Sequence, residues 1–470
     1  MGLFGPLKPL GRAEADGKAL AKTLSWPHLM ALGIGGIIGT GIYTLTGVGA
    51  GLAGPGVILS FAICGLVCAC AALAYTEMST LIPTAGSAYT YTYSAMGEIV
   101  AWVVGWALVL EYSLACSSVA VGWSAHLVGW LEQGLGLHLP AFLLAGPYAG
   151  GLVNLPAVLV SLAVMALLLV GARESATINI VLVIIKIVAL GAFVCLSLPA
   201  IKAGNYDPFA PYGFVGQQMG GQKVGIMAAA AIVFFAFFGF DAVSTSAEEA
   251  KNPARDLTIG IIGSMAVSTL IYMLVAGVAV GVVPFKEIAA SGEPLPHILR
   301  TIGYPLVAGL VGLAAIVALP SVILVMMYGQ SRIFFVMARD GLLPPVVAKV
   351  NAKGAPALVT LVTGVAVALV AGFVPLKEIA ALSNAGTLIA FIAVSLSMII
   401  LRRKLPDAVR SFRTPLHWLV GGVAIVGCGF IFSNLPLESQ MFTLIWMVAG
   451  LIVYFCYGRW NSRLRKEAKA

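Results

Sequence analysis

The first membrane-length apolar segment of the chain is interrupted by a cluster of glycines. Between Leu32 and Ile42 the sequence reads LGIGGIIGTGI, with five glycines in eleven residues. Each interior glycine costs a helix about 1 kcal/mol relative to alanine. Small residues can simply let helices pack closely, but this cluster predicts a helix that opens. Irregular backbone at membrane depth occurs where it lines a cavity or a ligand, so the break is expected to present bare N–H and C=O groups to a small zwitterion.

The composition places this segment in a membrane. Apolar residues make up 60% of the chain and charged residues 10%, and the mean hydropathy is +1.00, whereas about a quarter of a soluble domain is charged. A helix needs about 20 apolar residues to cross the bilayer. We therefore predict an all-α, polytopic membrane protein with twelve transmembrane helices. The predicted spans are 28–47, 57–81, 97–130, 154–171, 177–199, 224–247, 257–283, 303–337, 356–373, 376–401, 416–434 and 440–458.

Basic residues in the short loops predict the orientation, because Lys and Arg favour the cytoplasmic side. With both termini in the cytoplasm, most of the 27 Lys and Arg residues fall on that side. The net charge of +8 therefore reflects membrane topology and not a nucleic-acid surface. The chain divides into a cytoplasmic N-terminal segment (1–27), a core of spans 1 to 10 (28–401), two further spans (402–458) and a cytoplasmic tail (459–470).

No residues indicate a metal site, a cofactor or an enzyme. The seven cysteines all lie in apolar runs, where they are interpreted as small packing residues, and the five histidines are scattered. The chain lacks the HExxH, GxSxG and P-loop motifs.

A second interrupted segment follows five spans after the first. The aromatic run from Phe234 to Phe240 contains Gly239 and is followed by Asp241 and small hydroxyl residues. Aromatic runs more often serve packing, but acidic residues inside spans are rare and usually face an interior pathway. Two interrupted segments at corresponding positions are typical of transporters with inverted repeats, where they mark the binding site.

Lys186 lies near the centre of the fifth span, in IVLVIIKIVAL at 180–190. A charge at this depth costs at least about 2.5–3.5 kcal/mol on insertion scales, so the lysine must face polar groups or be neutral for part of the time. Snorkelling to the interface is the alternative, which the apolar residues on both sides make awkward. We predict that its ammonium takes the place of a coupling sodium ion, held by carbonyls freed in the first broken helix.

Further carboxylates lie at or near membrane depth. Glu111, in span three, is a candidate for lining the pathway, and Glu77 is expected to cap or pair at the cytoplasmic interface. Glu248 and Glu249 lie beside the basic residues of 251–255 and are expected to form an intracellular ion-pair cluster that could also act as a gate.

Three motifs resemble one family. They are GGIIGTGI at 35–42, FFGFDAVST at 237–245 with EEAKNP at 248–253, and GQSRIFF at 329–335 with ARDGLLP at 338–344. Together they are similar to the amino acid–polyamine–organocation superfamily, and more narrowly to bacterial members of its cationic amino acid transporter family. The resemblance covers essentially the whole chain. It implies a LeuT-like five-plus-five inverted repeat with spans 1 and 6 unwound at mid-membrane and spans 11 and 12 outside the repeat.

The resemblance also implies a set of substrate contacts. The carboxylate of an amino acid would meet the backbone N–H groups around Thr40 and Gly41, and its ammonium would meet freed carbonyls of both breaks. These carbonyls belong to Ile37, Phe235, Ala236 and Phe238. Half-helix ends carry partial charges that suit both groups. Proton-coupled relatives have a lysine in span 5, which Lys186 matches, with carbonyls such as that of Gly35 as its partners.

The expected function is secondary active import of L-amino acids with protons, by alternating access across the bacterial inner membrane. The expected partners are the amino acid, protons and the lipid bilayer, with no nucleic acid, and no oligomeric state is predicted. If Phe235, Phe238 and Met326 face the pocket, little room is left for an arginine side chain, which favours small neutral substrates such as alanine. Three alternatives remain: an exchanger that uses the same pocket, a non-transporting amino acid sensor and a channel.

Overall fold

The described part of the chain is mainly helical, as predicted. In this computed structural model it comprises residues 5–9, 24–84, 86–170, 176–215, 217–219, 222–349 and 357–467. Most of the predicted N-terminal segment 1–27 and the end of the tail 459–470 lie outside these residues.

The α-helices are numbered in chain order. They are α1 (Trp26–Ile37), α2 (Thr40–Tyr43), α3 (Leu45–Ala53), α4 (Val57–Leu81), α5 (Ser87–Ala95), α6 (Glu98–Leu135), α7 (Leu155–Leu169), α8 (Ala176–Ser197), α9 (Ile226–Val233), α10 (Phe240–Thr245), α11 (Pro253–Val282), α12 (Phe285–Ala290), α13 (Pro294–Thr301), α14 (Pro305–Arg339), α15 (Ala357–Phe373), α16 (Leu376–Lys404), α17 (His417–Asn434), α18 (Leu437–Val453), α19 (Arg459–Asn461) and α20 (Arg463–Glu467). The expectation of helices alone misses a short antiparallel hairpin of strands β1 (Gln217–Met219) and β2 (Gln222–Val224).

Nine helical segments of the described residues are long and apolar enough to cross a membrane, when directly joined helices are counted together. They are Leu45–Leu81, Glu98–Leu135, Asn179–Ala200, Ile226–Thr245, Pro253–Val282, Pro305–Arg339, Leu376–Lys404, His417–Asn434 and Leu437–Asn461. The apolar helices α7 and α15 are shorter, at 15 and 17 residues. Helical segments lie in all of the predicted windows, but a count of twelve crossings stays a prediction.

The glycine-rich segment is a broken helix. Helix α1 ends at Ile37, and Ile38 and Gly39 have extended dihedral angles, with φ/ψ of −76°/91° and −136°/−151°. The single turn of α2 follows, and Thr44 separates it from α3. The sequence-based prediction that this helix opens at its glycines is therefore confirmed.

The second interrupted segment is also broken. Helix α9 passes into a 3₁₀ turn at Phe234–Phe237, Phe238 is extended, and Gly239 has a φ of +111° before α10 begins. Residues with a side chain rarely adopt such a φ, whereas glycine adopts it at little cost in free energy. The break therefore falls at the glycine inside the aromatic run.

The two broken segments lie side by side in the centre of the helix bundle. Helix α1 contacts α10, and α3 contacts α9. Around them, α1 and α4 pack against α11, while α6 packs along α14 and α16. Every residue from Ile226 to Ala247 is buried, so the irregular backbone lies inside the protein and away from lipid.

Candidate functional site

The two breaks touch each other through their backbones. A Cβ atom added at Gly239 would lie 2.7 Å from the carbonyl carbon of Gly36, and one added at Gly41 would overlap the backbone of Ala236. Contacts this close leave no room for a side chain at either glycine. Glycine at these positions therefore brings the polar backbone groups of both breaks into one small region.

The first break offers hydrogen-bond donors that have no acceptor among the described residues. The N–H groups of Thr40 and Gly41 lie in the first turn of α2, where a helix supplies no acceptor of its own. Thr40 is fully buried, and within the described part of the chain its hydroxyl oxygen has no hydrogen-bond partner. The side chain of Thr40 packs against Gly122 of α6, where an added Cβ atom would overlap the threonine. Unpaired donors in a buried position suit a carboxylate ligand.

Lys186 is fully buried and is tied to the first broken helix. Its Nζ donates to the carbonyl oxygen of Gly35 at 2.8 Å, in the last turn of α1 before the break. The backbone carbonyl of Lys186 accepts a hydrogen bond from the hydroxyl of Tyr43, in α2, at 3.4 Å. The predicted contact between Lys186 and Gly35 is therefore present, and the lysine links α8 to both sides of the break.

The carbonyl of Ile37 already has a protein donor. The hydroxyl of Tyr272, in α11, donates to it at 2.6 Å. A carbonyl oxygen has two lone pairs and can accept a second hydrogen bond, so this contact leaves room for a ligand ammonium. The rings of Phe61 and Phe237 pack edge-on against Tyr272 and hold it in place.

The side chains of the second break form an apolar wall. The rings of Phe235 and Phe238 are T-shaped, with centroids 4.6 Å apart, and both residues are buried together with Ala236. Met326 is buried in α14, one turn after Val322, and a Cβ at Gly39 would contact Val322 at 3.8 Å. Helix α14 therefore passes beside the first break on the face that carries Met326.

Asp241 binds the second break itself. Its Oδ1 accepts the N–H of Gly239 at 3.0 Å, and its Oδ2 accepts the hydroxyl of Tyr112 at 2.7 Å. The carboxylate therefore holds the glycine at the start of α10 and joins it to α6. Asp241 fixes the shape of the break, which adds a structural role to its predicted place on the pathway.

Glu111 faces α16 rather than the glycine contacts. It is buried, and its Oε2 has no hydrogen-bond partner among the described residues. Its Cβ packs on Gly386, and its backbone carbonyl accepts from Ser383 at 3.1 Å. Glu111 directly precedes Tyr112 in the chain, and Tyr112 is the tyrosine that donates to Asp241.

Two residues of the site were not predicted from the sequence. In the sequence, Tyr272 cannot be distinguished from the other aromatic residues of apolar runs. Asn384 donates to the carbonyls of Ala231 at 2.8 Å and Ile232 at 3.1 Å, in the last turn of α9. An asparagine within a membrane span was the signal that could have identified it.

Glu249, one of the two residues expected to form an intracellular ion-pair cluster, has a different partner from the one expected. Among the ion pairs of the described residues, Glu249 pairs with Arg332 of α14 at 2.6 Å and with neither Lys251 nor Arg255. Arg332 also donates to the carbonyl of Thr245 at 3.3 Å and stacks on the ring of Tyr328. Tertiary packing brings α14 across the end of α10, which proximity in sequence could not indicate. The side chain of Glu248 lies outside the described residues.

The predicted pairing of Glu77 is confirmed. Both of its oxygens bind Arg402, at 2.6 and 2.7 Å, and the N–H of Thr414 donates to Oε2 at 2.9 Å. Glu77 therefore joins the end of α4 to the segment between α16 and α17.

Comparison with known proteins identifies the family. The family model described as amino acid permease matches residues 24–457, which include both breaks and Lys186. The chain belongs to the amino acid permease family. The resemblance of its motifs to the amino acid–polyamine–organocation superfamily is thereby confirmed.

Three relatives illustrate the range of the family. This permease is 43% identical to the branched-chain amino acid permease BcaP of Bacillus subtilis (strain 168) and 41% identical to the methylthioribose transporter of the same organism, each over 98% of both chains. It is 38% identical to the mitochondrial cationic amino acid transporter 3 of Arabidopsis thaliana over 84% of this chain and 65% of that protein. The chain is therefore a multi-pass membrane transporter of the amino acid permease family, and not an enzyme.

Proposed function

We propose that this permease imports L-amino acids together with protons, by alternating access, with the substrate held between its two helix breaks. The observation that carries the proposal is the hydrogen bond from the buried Lys186 ammonium to the carbonyl of Gly35. A positive charge at this carbonyl would replace the charge of a bound sodium ion, because it neutralises the partial negative charge at the C-terminal end of α1.

The backbone of the breaks would bind the substrate. The N–H groups of Thr40 and Gly41 would receive the carboxylate of the amino acid. Its ammonium would be received by the carbonyls of Ile37, Phe235, Ala236 and Phe238. Tyr272 would share the carbonyl of Ile37 with the ammonium, since the two hydrogen bonds use different lone pairs.

Proton transfer would act through Lys186. When charged, its ammonium holds Gly35 and with it the last turn of α1. When neutral, it loses most of its attraction for that carbonyl, and the turn is free to shift. Because Gly35 and Ile37 belong to the same turn, release of the proton and release of the substrate would be coupled.

The substrates would be L-amino acids with neutral side chains. The paired rings of Phe235 and Phe238 and the buried Met326 on α14 would line the side-chain pocket with apolar groups. A guanidinium beside these apolar groups would lose its water at a high cost in free energy. Two relatives are named branched-chain amino acid permeases, which supports the same conclusion.

The membrane arrangement proposed here has twelve crossings in the cytoplasmic membrane of a bacterium, with both termini in the cytoplasm. The first break lies in span 1 and the second in span 6, the corresponding positions of a five-plus-five inverted repeat. The two half-helices on each side of the membrane would then move together as the site opens alternately to the two sides.

Uptake into proteoliposomes tests the proposal. Purified protein is reconstituted without sodium, and radiolabelled L-alanine, L-leucine and L-arginine are each added with and without an inward pH gradient. With one proton per substrate, a gradient of one pH unit supports up to about tenfold accumulation. We expect accumulation of alanine and leucine that a protonophore abolishes, with slower uptake of arginine.

Two results would contradict the proposal. Uptake only into vesicles preloaded with another amino acid would identify an exchanger. Arginine uptake as fast as that of alanine would overturn the assignment of neutral substrates while leaving proton coupling intact.

A further inference from the structure

The segment from the end of α16 to the start of α17 carries an excess of positive charge. We call residues 402–418 the basic turn. Its charged side chains, apart from its histidine, are five basic residues and one acidic residue: Arg402, Arg403, Lys404, Arg410, Arg413 and Asp407.

Glu77 neutralises only part of this charge. Its carboxylate is buried and is shared by Arg402, at 2.6 Å, and Arg410, whose Nε lies 3.1 Å from Oε1. The N–H of Thr414 uses the second oxygen as well. The pKa of Arg410 is lowered by burial and, further, by the nearby guanidinium groups of Arg402 and Arg413. One carboxylate therefore serves a crowded group of guanidinium side chains.

Two arginines of the basic turn remain exposed. Across the described ranges, no carboxylate lies within 4.0 Å of the side-chain nitrogens of Arg403 or Arg413. Asp407 forms no ion pair with them. These guanidinium groups are thus available to an anion from outside the protein.

Exposed apolar side chains surround these charges. The guanidinium carbon of Arg403 lies 4.3 Å from the ring centroid of Trp418, which is 48% exposed. Val409 and Leu416 are 91% and 73% exposed. Basic residues beside an exposed tryptophan and aliphatic side chains, at the ends of two membrane-length helices, are typical of the membrane–water interface.

We propose that the basic turn binds the head groups of anionic phospholipids in the cytoplasmic leaflet. Arg403 and Arg413 would contact the lipid phosphate, and Val409, Leu416 and Trp418 would lie at the boundary with the acyl chains. The proposal rests on the cytoplasmic orientation of this turn given above, but not on proton coupling or on the substrate.

Bound lipid would stabilise the transport core as well as the turn. Glu77 fixes the turn to α4, and α4 packs against α9 and α11, beside the broken helices. A lipid that relieves repulsion among the arginines would therefore strengthen the attachment of α16 and α17 to the core. This effect is expected to appear as a higher melting temperature in anionic membranes.

Lipid retention in nanodiscs tests the proposal. The protein is placed in nanodiscs of phosphatidylcholine alone or with phosphatidylglycerol, and retained lipid is counted by native mass spectrometry while Tm is measured by intrinsic fluorescence. The variant is Arg403→Gln/Arg413→Gln. The control is Arg255→Gln/Lys349→Gln, which removes the same charge from exposed positions of α11 and the segment after α14.

We expect wild type to retain phosphatidylglycerol in preference to phosphatidylcholine and to show a higher Tm in its presence. Each basic residue near an anionic surface contributes about fivefold to binding, so the double variant should bind phosphatidylglycerol about 25-fold more weakly. The control variant should behave as wild type, and Arg403→Lys/Arg413→Lys should keep most of the preference.

Three outcomes would overturn the proposal. Wild type without preference for phosphatidylglycerol would show that the turn is only a topological signal. Equal losses in the variant and its control would indicate general electrostatics. An increase in Tm produced equally by inorganic phosphate in phosphatidylcholine nanodiscs would identify a site for free anions. None of these measurements involves transport, so they are independent of the uptake assay.

Discussion

At the scale of single residues, Lys186 is the least expected side chain of this permease. A fully buried ammonium at mid-span carries a penalty of at least about 2.5–3.5 kcal/mol, and packing alone would favour an apolar residue there. Its hydrogen bond to the carbonyl of Gly35 places the charge against the first break. The role in transport proposed above would account for a charge at such a cost in this position.

Replacement of Lys186 by methionine tests that role. Lys186→Met keeps the length of the side chain but removes the charge and the donor to Gly35. The lost hydrogen bond costs about 1–3 kcal/mol, which is similar in size to the relieved cost of the buried charge, so Tm should change little. Uptake driven by the pH gradient should be abolished.

The control is Lys202→Met, an exposed lysine of the loop after α8. It should leave both Tm and gradient-driven uptake unchanged. Unchanged accumulation in Lys186→Met would mean that the lysine has only a structural role.

At the scale of elements, the site depends on two helices that stop and restart beside each other. Gly41 and Ala236 meet backbone to backbone, as do Gly36 and Gly239. Ordinary helices cannot approach this closely, because their side chains keep their axes 8–10 Å apart. The breaks are therefore in direct contact, and a side chain added at one glycine would displace the backbone of the other break.

A single methyl group at this contact should disrupt the site. In Gly41→Ala the added Cβ overlaps the backbone of Ala236, and such overpacking costs about 1–3 kcal/mol. We expect a lower Tm and a loss of alanine binding, measured by isothermal titration in detergent.

Gly191→Ala in α8 is the matched control. No heavy atom would lie within 4 Å of its Cβ, and alanine favours a helix by about 1 kcal/mol relative to glycine. Equal effects of the two substitutions would argue against the close contact of the breaks.

At the scale of the whole molecule, different ion pairs hold the two ends of the bundle. Arg332 and Glu249 join α14 to the end of α10. Glu293, which precedes the first residue of α13, pairs with Arg300 in the last turn of the same helix. The carboxylate of Glu293 also packs directly on Gly129 of α6, where a Cβ would overlap it. In the proposed orientation the first pair faces the cytoplasm and the second the outside.

The outer pair should respond to pH. Burial raises the pKa of Glu293 above its ordinary value of 4.5, despite the opposing effect of Arg300, and Glu132 raises it further. The folded chain then binds this proton more tightly than the unfolded chain, so stability is lost as pH rises through the interval between the two pKa values. The Tm of wild type should therefore fall relative to the Tm of Glu293→Gln as the pH rises from 4 to 7.

Glu287→Gln, an exposed position of α12, is the control for this comparison. Its Tm difference from wild type is the baseline against which the pH dependence for Glu293→Gln is compared. A difference for Glu293→Gln that follows this baseline would show that Glu293 keeps its ordinary pKa in the folded protein.

The sequence by itself determined the class of the protein and the positions of both helix breaks, and it indicated that Lys186 would meet carbonyls of the first break; the family resemblance named Gly35 among them. These features follow from local chemistry. Clustered glycines weaken a helix wherever it lies, and a charge inside an apolar run must find a polar partner. The motifs around the breaks were also sufficient to indicate the family.

Only the tertiary structure decided which residues complete the site. Tyr272 on the carbonyl of Ile37, Asn384 on the end of α9 and Arg332 on Glu249 all join segments far apart in the chain. An isolated tyrosine or arginine carries no sign of its partner, because the identity of the partner depends on how helices pack. Composition and periodicity describe one helix at a time, whereas these hydrogen bonds exist only between helices.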